Sequence, residues 1–111
     1  MTEVEQYINT KILQIMDYDT YKAAWKVNFD KKKSMFIYTI PNFQWVGVNG
    51  FLDIIRRVLR HNLGKYAEEY IEVSGERGKP GRHSYDFELC IKVKVDLETL
   101  AGYLRIMENK A

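Results

Sequence analysis

A chain of 111 residues with a net charge of +2 at pH 7 and 46% hydrophobic residues is large enough to bury roughly two-thirds of its unfolded surface around one core. No apolar run approaches the roughly 18 residues needed to cross a bilayer, and the N-terminus opens acidic instead of with a basic and then apolar leader, so neither a membrane span nor a secretory signal is expected. The single cysteine, Cys90, excludes an internal disulfide and fits a reducing, cytoplasmic setting.

Thr2 and Glu5 have the spacing of a capping box, and Val4, Ile8, Ile12 and Ile15 follow on one face. This predicts a helix over residues 3–16, stopped by the polar Asp17, Tyr18 and Asp19. Trp25, Val27 and Phe29 then alternate with Lys26 and Asn28, which is the period of a strand. Asp30, Lys31, Lys32 and Lys33 read as the turn into a second strand over 34–40. That strand is apolar on both parities, with Phe36, Tyr38 and Ile40 on one side and Met35 and Ile37 on the other. It is expected to be covered on both faces or to show one of them to a partner. Pro41 lacks the N–H a ladder needs and is expected to end the strand, with a short return strand over 43–48.

Residues 49–64 carry the strongest helical pattern. Phe51, Leu52, Ile54, Ile55, Val58 and Leu59 form an apolar face, while Asp53, Arg56, Arg57, Arg60 and His61 fill the opposite arc. Asn49 is placed as the N-cap, Asp53 in the first turn suits the helix dipole, and Gly64 can take the left-handed conformation that ends a helix. Each large side chain buried from that face is worth roughly 1.5–3 kcal/mol, so the core is expected to be built on this helix.

Residues 66–74 read as a strand with Ile71 and Val73 on one face and Glu68, Tyr70 and Glu72 on the other. Gly75, Gly78, Pro80 and Gly81 predict a loop over 75–82. Tyr85, Phe87, Leu89, Ile91, Val93 and Val95 then alternate with polar residues, which predicts a long strand with one face on the core. Asp96 caps a last helix with a stripe of Leu97, Leu100, Ala101, Leu104 and Met107. Gly102 in its middle costs about 1 kcal/mol against alanine, which a close approach of another backbone would explain.

The order α-β-β-(β)-α-β-β-α, with strands joined by hairpins, predicts a single α+β domain over 1–111. Its sheet is mostly antiparallel, of four to five strands, with three helices on one face and the other face at least partly open. The element order resembles that of saddle-sheet DNA-binding domains, in architecture and through no residue motif.

Few residues are spaced for catalysis. His61, His83 and Cys90 show no metal-ligand spacing, and Cys90 sits on the polar parity of its strand without the surroundings of a reactive thiol. Asp86 and Glu88 share one side of a strand with Lys92, and Glu72 can join them, as in a metal-dependent nuclease. The usual lysine lies two residues after the second acid, however, and Cys90 occupies that place. A solvated strand face, with charges for solubility and edge protection, is the preferred account of these residues. The glycines of 75–82 do not form a phosphate loop, because such a loop runs from a strand into a helix and this one runs from strand to strand.

The constellation that points to a function is basic. Arg56, Arg57 and Arg60 on the helix and Arg77, Lys79 and Arg82 on the glycine-rich hairpin loop, with His61 and His83 beside them, are expected to form one electropositive stripe. Tyr38, Trp45 or Tyr70, where outward-facing, would stack on bases. The expectation is a small non-enzymatic nucleic-acid-binding or regulatory module, with DNA or RNA as partner and no cofactor, metal or membrane. The alternative is a protein-binding inhibitor or adaptor, or a homodimer, acting through the aromatic strand over 34–40.

Overall fold

The capping box at the N-terminus is formed. Glu5 N donates to Thr2 Oγ1 at 3.2 Å, and Thr2 N donates to Glu5 Oε1 at 3.3 Å. They open α1 (Glu3–Met16), the first helix of a computed structural model that describes residues 1–16, 25–43, 47–65, 67–80 and 85–109. The strands β1 (Lys26–Asp30) and β2 (Met35–Phe43) follow, then the helix α2 (Val48–Leu63) and the single turn α3 (Ala67–Tyr70). The strands β3 (Ile71–Pro80) and β4 (Tyr85–Val93) and the helix α4 (Leu97–Asn109) complete the order. The four strands form one antiparallel sheet in the order β1-β2-β4-β3, so this is an α+β fold in the expected sequence of elements.

The β1–β2 hairpin turns on Asp30, whose Oδ1 accepts from the backbone N–H of Lys32 at 3.0 Å and of Lys33 at 3.2 Å. Strand parity then sorts the sheet. Phe36 and Tyr38 of β2 and Phe87, Leu89 and Ile91 of β4 are completely buried, together with Ile8 of α1 and Ile55 of α2. α1 packs against both α2 and α4, and the helices cover this face of the sheet. The other parity, with Met35, Ile37, Glu88 and Lys92, makes the open face.

Several expectations are corrected. Pro41 does not end β2, which runs on to Phe43 through a register break between Ile40 and Phe43, where a missing N–H is tolerated. The proposed return strand has its ends in β2 and α2, and Gln44, Trp45 and Val46 lie outside the described residues, as do Asp17, Tyr18 and Asp19. Gly47, not Asn49, precedes α2 and offers no side-chain cap; Asn49 is in the first turn and Asp53 beyond it. Ile54 is 47% exposed, leaving Leu52, Ile55 and Leu59 as the buried stripe. Gly64 does end the helix, at φ 81°, with its N–H donating to Arg60 O.

Residues 67–70 form a helical turn where a strand is expected, because Ala67 N continues the bonding pattern onto Gly64 O at 3.1 Å. β3 in turn extends through Gly75 and Gly78 to Pro80, where a loop is expected. Gly75 is required there: a Cβ would lie 2.3 Å from Cζ of Phe87. β4 stops at Val93, short of Val95. Nothing lies within 4 Å of a Cβ built on Gly102, so no close backbone approach explains that glycine. No helix among the described residues is long and apolar enough to cross a membrane.

Candidate binding groove

β3 is an edge strand, and one bond sets its phase. Lys94 N donates to Tyr70 O at 2.7 Å, and the alternation of an antiparallel ladder then pairs Glu72, Ser74 and Glu76 with β4. Ile71, Val73, Gly75 and Arg77 therefore turn their N–H and C=O groups away from the sheet. α2 lies beside this edge, and a groove of about 620 Å³ runs between them. Leu59, Ala67, Ile71 and Val73, each at most 8% exposed, give its floor a little apolar surface, and Arg56, Arg57, Arg60 and Lys94 make its rim basic. Asp53, Glu68 and Glu72 also reach it.

The arginines differ in what holds them. Arg56 Nη2 donates to Val73 O at 2.8 Å, capping an outward carbonyl of the edge, and its Nη1 lies 3.5 Å from Asp53 Oδ1. Arg60 is paired with Glu68. Lys94 Nζ donates to the backbone oxygen of Glu68 at 2.6 Å and has no carboxylate partner among the described residues. Arg57 is exposed and has no partner among the described residues. Arg77 lies four residues beyond Val73 on the same parity of β3, about 13 Å along the strand, with its guanidinium 4.5 Å from the Tyr85 ring centroid.

Arg56, Arg57, Arg60 and Arg77 are thus brought to one flank of the molecule. The side chain of Lys79, and Arg82 and His83 entirely, lie outside the described residues. His61 is exposed in the last turn of α2 and does not line the groove. Most of the expected basic loop is strand, because its glycines serve close packing against β4: a Cβ on Gly78 would lie 2.8 Å from Asp86 O. Sequence reasoning missed Lys94, which reads as one more polar residue of β4, and it missed the open edge, which depends on strand order.

The remaining candidates are dispersed. Glu72 faces Lys92 across the ladder and Glu88 faces Glu76, and no three His, Cys, Asp or Glu among the described residues are placed to hold a metal ion. Cys90 is 3% exposed despite its polar-side parity; burial, with Glu76 and Glu88 adding, pushes its thiol up to about 11. The aromatic side of β2 is core, not surface. Phe36 and Tyr38 face the helices, and Met35, Ile37 and Thr39 take the outward parity. Tyr70 is half-buried, 4.7 Å from the ring of Tyr103. Neither Tyr38 nor Tyr70 offers an open ring for base stacking, and Trp45 lies outside the described residues.

Comparison of the chain with protein-family models, curated proteins and solved structures finds no match. The likeness to saddle-sheet domains accordingly rests on element order alone.

Proposed function

We propose that this chain is a small non-enzymatic protein-binding module, acting as an inhibitor or adaptor through the groove between α2 and the edge of β3. The observation that supports the reading is the juxtaposition of a strand edge that pairs with no further strand among the described residues and a groove with a basic rim. Such an edge supplies main-chain hydrogen bonds, and the rim selects an anionic ligand through Arg57 and Lys94. The test is a nuclear magnetic resonance titration with a peptide of alternating glutamate and serine and, separately, with an oligonucleotide of equal charge. The peptide is expected to shift the amides of Arg57, Ile71 and Val73, and charge reversal by Arg57→Glu to abolish the effect. Binding of the oligonucleotide alone would overturn the proposal.

The second reading, nucleic-acid binding, is favoured by the shared flank of Arg56, Arg57, Arg60 and Arg77. It is weakened by the carboxylates already paired with Arg56 and Arg60, and by Glu68, Glu72 and Glu76 along the same edge. If it holds, affinity falls by nearly one logarithmic unit per tenfold rise in salt for each phosphate neutralised, and Lys79 and Arg82 add to that slope.

A further inference from the structure

We infer that the edge of β3 accepts an extended segment of a partner protein as a fifth strand, with carboxylates on its side facing α2 and basic or hydroxyl side chains on the other. This deepens the groove reading above and rests on it. β3 spans ten residues, whereas the opposite edge, β1, spans five. From Ile71 to Arg77 the outward backbone groups recur at every second residue, which is the spacing an added strand needs. Pro80 has no N–H to offer and closes the edge at its far end.

Of the outward groups, the Val73 carbonyl is the one that Arg56 caps in the free protein. An incoming N–H takes over that acceptor and releases the Arg56 guanidinium to the ligand.

Charge sets the side-chain pattern of the occupant. Successive residues of an added strand point alternately toward α2 and toward the open face. On the α2 side they meet Arg57, which has no carboxylate partner among the described residues, while Asp53 and Glu68 there are already paired with Arg56 and Arg60. On the open side they run beside Glu72 and Glu76, whose parity is that of Lys92 and Glu88. Opposite charges across neighbouring strands attract and like charges repel, so acids are selected at one parity and excluded at the other. A phosphate chain is negative along its whole length and cannot satisfy both sides.

The test pans a displayed library of random peptides against the intact protein, in parallel with a random oligonucleotide pool. Enriched peptides are expected to carry Asp or Glu at alternate positions with Lys, Arg, Ser or Thr between them. In complex with the protein they should slow hydrogen exchange at the Val73 and Gly75 amides, which point away from β4. N-methylation of alternate peptide amides should abolish binding, and Arg57→Glu should weaken it by about tenfold or more. Arg57→Gln, at an exposed position, should give an intermediate loss and so separate charge from misfolding. Peptides that require Arg57 but leave the Val73 and Gly75 amides unprotected would overturn strand addition while the groove reading stands. No enrichment, binding indifferent to Arg57, or enrichment of oligonucleotides alone would overturn both.

Discussion

The hydroxyl of Tyr38 donates a hydrogen bond of 2.8 Å to Oδ1 of Asn9. Both residues are buried, so this contact fastens α1 to the middle of the sheet. Tyr38→Phe strands the Asn9 amide oxygen without a partner and is expected to cost about 1–3 kcal/mol. Asn9→Leu should cost a similar amount, since it leaves the Tyr38 hydroxyl unpaired. Tyr38→Phe combined with Asn9→Leu should cost clearly less than the sum, because no polar group is then left unpaired. Urea unfolding of the three variants measures it; strict additivity would show that the bond does not couple the two residues.

Two glycines should respond to alanine with opposite signs. A Cβ on Gly75 collides with the buried Phe87 ring, so Gly75→Ala is expected to cost about 1–3 kcal/mol by displacing it. Gly102 sits within α4 with open space around its missing Cβ. Gly102→Ala should therefore stabilise the protein by about 1 kcal/mol. Thermal midpoints moving in the same direction for both would contradict this account.

These glycines also mark the limits of what the sequence discloses. The alternation from Tyr85 to Val93 and the Thr2–Glu5 box are local signals, and both appear as read. Gly75, Gly78 and Pro80 have loop propensity, yet they lie in a strand, and at the two glycines Phe87 and Asp86 of the neighbouring strand leave no room for larger side chains. Tertiary packing overrode propensity there. The basic arc of α2 was equally legible, but its electrostatics were not. Arg60 is neutralised by Glu68, which comes from another element, and Arg56 turns to a backbone oxygen of β3. Periodicity reveals neither partner, since one depends on how the chain turns after α2 and the other on which strand lies at the edge.

Cys90 should be a sluggish nucleophile. Burial is the main cause of its raised pKa of about 11, with Glu76 and Glu88 contributing and Lys33 opposing. At neutral pH almost none of it is thiolate, so alkylation by iodoacetamide should be far slower than that of a free thiol of pKa about 8.5. In the unfolded chain the thiol loses its proton first, so the folded state holds more protons between those two values. Stability should accordingly fall as pH rises from about 9 toward about 11, and Cys90→Ser should remove that component. Rapid alkylation of the native protein at neutral pH would show the thiol to be accessible and ionised.

Arg56 and Arg57 are adjacent in sequence and should behave differently without any ligand. Arg56 holds the Val73 carbonyl and Asp53, whereas Arg57 has no partner among the described residues. Arg56→Met should lower stability by about 0.5–1.5 kcal/mol, because water partly replaces the lost bonds at this exposed position. Arg57→Met should change it by less than about 0.5 kcal/mol. The larger effect of Arg56→Met is on association. An edge carbonyl without its cap is open to pairing with another chain, and a long unguarded edge is a template for self-association. Sedimentation velocity should show Arg56→Met associating at concentrations where the unaltered chain and Arg57→Met do not. If all three sediment alike, Arg56 does not guard the edge, and its bond to Val73 serves only to orient the rim of the groove.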